Sequence, residues 1–184
     1  MTQRAGEIWT IGHWNCPREL VLDTLANAGI NRIIDVRAQP GSRRSPQFGR
    51  DEMPQWLADA GIGYEHLPAL GGRRRRQDVD PQVNGAWRNT SFHNYADYTL
   101  TQPFEDGLAR LTELASTNNV AMMCGEPMPW RCHRLLVANT LTARGWQVWH
   151  LMTTAAPRLH TLGAWGATPV VGPDGVLTYP CLPG

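Results

Sequence analysis

Short apolar runs bounded by glycine, proline or charge recur along the chain, and between them apolar positions fall at helical spacing. Glu7-Ile-Trp-Thr-Ile-Gly12, Arg32-Ile-Ile-Asp-Val36, Gly63-Tyr-Glu-His-Leu67, Val120-Ala-Met-Met-Cys124 and Trp146-Gln-Val-Trp-His-Leu151 read as five strands. Pro17 opens a helical pattern with Leu20, Leu22, Leu25 and Ala28 that Gly29 stops, and Asp51 is expected to cap a second helix ending at Ala60. Further helices are expected over Ser91–Leu100, over Gln102–Ala115, and from near Trp130 to Gly145. Residues 37–50 and 68–90 read as loops, and 168–178 as a small hairpin turning at Gly172-Pro-Asp-Gly175. This order predicts a single-domain α/β fold: a mostly parallel five-stranded sheet with helices on both faces, in a Rossmann-like three-layer arrangement. Residues 1–155 would form the α/β domain, and 156–184 an extension packed on it.

Composition narrows the chemistry. The 184 residues carry 17 basic and 16 acidic groups, so a net charge of +1 gives no global attraction to nucleic acid, and any such binding needs a local patch. All 17 basic residues are arginine. A Schiff-base lysine, a lysine-anchored cofactor such as pyridoxal phosphate and a Walker lysine are therefore excluded. No apolar stretch approaches the roughly 20 residues of a membrane span, and Met1-Thr-Gln-Arg-Ala-Gly-Glu7 lacks the apolar core of a leader. A cytoplasmic location with no membrane partner is expected. Cys16, Cys124, Cys132 and Cys181 are too few and too scattered for a disulfide framework.

In open α/β sheets, ligands bind beyond the carboxyl ends of the strands. His13, Trp14 and Asn15 follow the first expected strand; Asp35 ends the second, before Arg37, Ser42 and Arg43; His66 and Gly71-Gly72-Arg73 follow the third. The densest segment is Cys124-Gly-Glu-Pro-Met-Pro-Trp-Arg-Cys-His-Arg134. With a helix starting near Trp130, Arg131 to Arg134 would fill its first turn, where free N–H groups favour an anion or a thiolate. Three readings stay open. Cys124 or Cys132 is a nucleophile or redox thiol with His133 or His13 as acid–base partner; Cys124, Cys132 and His13 hold zinc; or both cysteines are small buried hydrophobes. A phosphatase thiolate loop needs Cys-x5-Arg, whereas six residues separate Cys124 from Arg131.

The loop after the second strand reads either as a bidentate anion clamp of Arg37, Ser42 and Arg43 or as an Asp35–arginine pair that fixes the loop, and the two are compatible. Arg73–Arg76 reads as a solvated run whose functional alternative is phosphate-backbone contact, with Trp87, Phe92 and Trp14 as stacking surfaces. His66, His93, His150 and His160 show no partners in the sequence and are taken as structural. Of the eight tryptophans, Trp14 and Trp130 fall at the expected site.

Several motifs together resemble the bacterial domain-of-unknown-function family 488. They are Thr10-Ile-Gly-His-Trp-Asn15, Asp35-Val-Arg37 with Pro40, Ser42-Arg-Arg44 and Pro46-Gln-Phe48, Tyr64-Glu-His-Leu-Pro68 with Leu70-Gly-Gly72, Cys124-Gly-Glu126 and Cys132-His-Arg134. The resemblance runs over residues 8–151. It implies a compact α/β domain with its polar motifs in one site and supplies no reaction. Trp14 stands where relatives more often carry a small polar residue such as serine, so it would narrow or stack against the pocket mouth.

The resulting expectation is an enzyme acting on an anionic ligand: a nucleotide, a nucleic acid or another phosphorylated molecule. Arg37, Arg43, Arg131 and Arg134 would hold the anion with Ser42, Asn15 would donate to it, and Asp35 would orient Arg37. Cys124 and Cys132 would be the reactive or redox-sensitive pair, with Glu126, His13 and His133 as acid–base groups. The alternatives are a non-enzymatic nucleotide- or nucleic-acid-binding module and a Cys/His metal-binding domain.

Overall fold

β1 (Glu7–Gly12) lies inside a sheet because its apolar residues serve both faces. Ile8 packs on one side and Ile11 on the other, and the strand pairs in parallel with β4 (Val120–Cys124) and β5 (Gln147–Met152). The computed structural model describes residues 6–41 and 43–184; Ser42, expected in the anion clamp, lies outside the described residues. Outward from β4 come β2 (Arg32–Asp35) and β3 (Gly63–His66), both parallel, giving the order β3-β2-β4-β1-β5 for the five expected strands. A sixth strand, β6 (Ala155–Leu159), pairs antiparallel with β5 across a bulge between His150 and Met152. All five of its residues are exposed. The alanine-rich stretch, interrupted by Pro157, carries no strand pattern of its own, and only pairing with β5 makes it one.

Two apolar layers cover the sheet. α1 (Arg18–Asn27) and α2 (Met53–Asp59) place Val21, Leu25, Met53, Trp56 and Leu57 against Ile33, Ala121 and Met123. α3 (Thr90–Tyr98), α4 (Gln102–Ala115) and α5 (Arg134–Ala143) place Tyr95, Phe104, Leu108, Leu111, Leu136 and Leu141 against Ile34, Val120 and Met122. The alternation of Val120 and Met122 with Ala121 and Met123 is the period of two that a strand buried on both faces must have. Gly29 ends α1 at φ +67°, where a side chain would be strained. α2 begins two residues after Asp51, so Asp51 is not its cap; no side chain caps it at Glu52, and Pro54 stands in its first turn, where its missing N–H costs nothing.

Two differences from the sequence reading matter for the site. The last helix starts at Arg134 and not near Trp130: Pro129–Arg131 form a 3-10 turn and Cys132 is extended (φ −132°, ψ 150°), which breaks the helix. Past β6, a short hairpin of β7 (Val170–Val171) and β8 (Leu177–Thr178) turns through Pro173–Gly175, as its glycines and proline suggest, and Tyr179 enters the core beside Trp87.

His150 and His160 have partners the sequence could not reveal. Thr10 Oγ1 lies 2.7 Å from His150 Nδ1, His150 Nε2 3.0 Å from His160 Nδ1, and His160 Nε2 2.8 Å from Asn139 Oδ1; Asn139 Nδ2 donates to the Tyr179 hydroxyl at 3.1 Å. Asn139 Oδ1 only accepts, so His160 Nε2 carries hydrogen, His160 Nδ1 accepts from His150 Nε2, and His150 Nδ1 accepts from the Thr10 hydroxyl. Both rings are thereby neutral. Burial lowers His150 to about 3, with the charges of His160 and Arg134 adding to it, and burial lowers His160 to about 4.

Below the unfolded histidine pKa of about 6.5, the unfolded chain therefore binds protons that the folded chain refuses. The stability these rings contribute is present above about pH 6.5 and lost as pH falls toward 4, by up to about 1.4 kcal/mol per pH unit for each ring. Urea unfolding across this range should show that slope, and His160→Gln should flatten it by about one proton. An unchanged slope in the variant would remove the histidine from the account.

Candidate functional site

The carboxyl ends of β1, β2 and β4 meet at one edge of the sheet, and the chain leaves them through polar loops. Gly12 is where two of these loops pass: a Cβ there would stand 1.9 Å from the Glu126 carbonyl oxygen. That close passage brings residues 124–127 alongside His13 and Trp14, whose backbone N–H groups donate to the carbonyls of Cys124 and Gly125, each at 2.9 Å. Beside them opens a cavity of about 460 Å3, walled in part by Arg37, Arg73, Phe92, Glu126 and Arg131, with Cys124, Cys132 and His133 on its floor.

His133 sits at the start of α5. Its Nε2 lies 2.8 Å from the Val36 carbonyl, which can only accept, so Nε2 carries hydrogen and Nδ1 faces the sulfurs, 3.5 Å from Cys132 Sγ. Gly72 makes room for the ring, since a Cβ there would lie 2.8 Å from Nδ1. The sulfurs of Cys124 and Cys132 and a nitrogen of His133 lie within 4.8 Å of one another, close enough for a soft cation such as zinc. His13, the expected third partner of the sulfurs, is not in this group: its Nδ1 donates to the Trp14 carbonyl at 2.7 Å, and its Nε2 faces Arg37 at 3.2 Å.

The two thiols differ in character. Burial pushes Cys132 up, but the hydrogen bond from Cys124 and the charge and backbone N–H of Arg134 outweigh it and bring the thiol down to about 6. Cys124 is pushed up, first because it donates to Cys132 and then by burial. Of the pair, Cys132 is the thiol whose ionised form is favoured, and Cys124 is its donor.

Arg134 is the cation beneath this pair. It is 1% exposed, donates to Thr10 Oγ1 at 3.0 Å and to the Glu126 carbonyl, and leaves Nε without a partner. No carboxylate pairs with it among the described residues. The short chain segment between them puts its backbone N–H 3.5 Å from Cys132 Sγ. Arg134, expected to hold the anion, does not line the cavity, and its charge acts on the Cys132 thiol.

Arg37 is held differently. Its Nε and Nη2 donate to the two oxygens of Asp35 at 2.9 and 2.7 Å, and Tyr64 donates to the same carboxylate at 2.6 Å. Asp35 therefore orients Arg37, while His13, stacked on Phe48 at 4.3 Å, backs it from behind. Burial lowers His13 to about 4 against the opposing hydrogen bond to Trp14, and the Arg37 charge adds to the lowering. The ring stays neutral, which lets Nε2 accept from Arg37.

The structure thus brings Cys124, Cys132, His133, Glu126, Arg37 and Arg131 to one cavity, with Asp35, His13 and Arg134 supporting them. Asn15 and Arg43 are exposed outside the lining, Asn15 accepting from Ser45 at 3.3 Å. Trp130 packs on Trp165 at 5.0 Å and not in the cavity. Trp14 is 58% exposed beside it, in a left-handed backbone (φ 45°), as is Arg73 (φ 59°). Such backbone costs non-glycine residues about 1–2 kcal/mol and persists at functional edges. Arg73, which the sequence places after the third strand in a run read as solvated with phosphate contact as its alternative, lines the cavity. Thr10 as the partner of Arg134 was missed, and nothing in the sequence marked it.

An α/β domain with a thiol, imidazole and arginine cavity at its strand ends is the class these features define. The family described as Domain of unknown function DUF488 matches residues 17–141, about two thirds of the chain, and the chain belongs to that family. No curated protein and no solved structure matches it.

Alkylation with iodoacetamide should report the thiol asymmetry. The rate at Cys132 should rise through a midpoint near pH 6, whereas an ordinary cysteine reacts through a midpoint near 8.5. Cys124→Ala removes the donor and should move the Cys132 midpoint upward; a midpoint that stays put would rule out the donor role.

Proposed function

We propose that this chain is an enzyme acting on an anionic ligand through a Cys132 thiolate. The observation that carries the reading is the placement of Cys132 on the cavity floor, 3.5 Å from His133 Nδ1, below walls that carry Arg37, Arg73 and Arg131. Arginine forks suit phosphate or carboxylate, and the thiolate beneath would face the reacting atom of the ligand they hold. The Cys132 thiolate donates an electron pair to the electrophilic atom, and the leaving group departs with its bonding pair and takes a proton from water. A second water gives a proton to His133 Nδ1 and attacks the same atom; the sulfur departs as the thiolate, and the proton on Nδ1 returns to solvent. This chemistry needs a reduced cysteine, which suits the cytoplasm.

The second reading is a metal site, favoured by the closeness of the same three donor groups. Native mass spectrometry of the protein with nucleotides and other phosphorylated small molecules separates the two. The enzyme reading expects a bound anion whose affinity falls about tenfold in Arg131→Ala, from loss of one charge-assisted hydrogen bond. Cys132→Ala should retain that anion and lose every covalent adduct. Stoichiometric zinc, lost in Cys124→Ser, would replace this reading with the metal site. Cys132 alkylated no faster than Cys16 at neutral pH would end the nucleophile assignment.

A further inference from the structure

α3 stands between two cavities. Ser91, Phe92 and Tyr95 face the cavity with the thiols; Thr90, His93, Asn94 and Asp97, at spacings of three, four and seven along the helix, face a second cavity of about 320 Å3. The arginine run before α3 divides in the same way. Arg73 lines the first cavity and Arg76 the second, where Arg88 joins it. Between them, Arg74 is spent on structure, donating to the carbonyls of Gly71 and Pro68 and lying 3.9 Å above the Tyr98 ring.

The charge balance of the second cavity favours an anion. Its acid, Asp97, is buried and already engaged by Asn84 at 2.7 Å and His93 at 3.5 Å. Arg76 and Arg88 are exposed and, among the described residues, have no ion-pair partner. The same holds for Arg73 and Arg131 in the first cavity. Aromatic surface accompanies the arginines: Phe92, on the ridge, is stacked on Trp87 at 5.0 Å, and exposed Trp14 flanks the first cavity at Gly125.

We propose that the second cavity is a phosphate subsite and that the ligand is a single strand of nucleic acid laid across α3, with one phosphate near Arg73 and Arg131 and another near Arg76 and Arg88. Cations that track a backbone, interleaved with aromatic faces for the bases, are what single-strand binding requires. The assignment rests on the reading that the first cavity takes an anion, and extends it from a mononucleotide to a polymer.

Fluorescence anisotropy with a labelled oligothymidylate of about ten nucleotides, competed by thymidine monophosphate, tests it. The oligonucleotide should bind more tightly than the mononucleotide, with affinity falling as salt rises. Arg76→Ala/Arg88→Ala should weaken oligonucleotide binding about tenfold or more and lower its log–log salt slope by about 1.4, at roughly 0.7 per lost contact, while mononucleotide binding and Cys132 alkylation stay unchanged. The charge-reversed pair Arg76→Glu/Arg88→Glu should weaken it further. Equal binding of oligonucleotide and mononucleotide, or an oligonucleotide affinity indifferent to both double variants, would overturn the strand while sparing the anion cavity. Failure of both nucleotides to bind would overturn the strand, and failure of every phosphorylated molecule would take the anion reading with it.

Discussion

A guanidinium buried with no carboxylate is the constraint around which this end of the molecule is organised. Removing a charge from water costs several kcal/mol unless it is paired and hydrogen-bonded, and Arg134 has only a hydroxyl and a carbonyl oxygen as direct acceptors. The hydrogen bond from Cys124 and the charge of Arg134 both bring the Cys132 thiol down, so the interior that holds the guanidinium also favours negative charge on that sulfur.

The hydroxyl of Thr10 connects that constraint to distant parts of the chain. It accepts from Arg134 while donating to His150, an orientation fixed in turn by His160, Asn139 and Tyr179. His160 and Tyr179 come from the segment after β5 that sequence reading treated as an extension of the α/β domain. Their hydrogen bonds make that segment part of the support beneath the thiols.

How much of this could be read in advance depends on the range of the interaction. β4 was legible to the residue because Val120–Met123 is apolar on both faces, a property of the residues alone. The start of α5 was not, since Pro129 and the extended Cys132 spend four residues on a turn before the helix begins, and composition does not separate a 3-10 turn from an α-helical one. β6 exists only because β5 offers an edge. At the site, the motif-bearing residues Cys124, Cys132, His133 and Arg37 were recognisable by chemistry and by position at strand ends. Which of them touch the cavity and which work from behind was legible only for Asp35, two residues from the Arg37 it was expected to orient; His13 and Arg134 are set apart by contacts between residues far apart in the chain.

The exposed sixth strand has a consequence for the molecule among its own copies. A sheet ending in a regular edge offers a template on which another chain can add a strand. Here the outermost strand contains Pro157, which has no N–H to give, carries the charge of Arg158, and is paired through a bulge that disturbs its register. Addition of a strand is therefore disfavoured at this edge by covalent structure, which leaves β3, at the opposite end of the sheet, as the edge open to pairing.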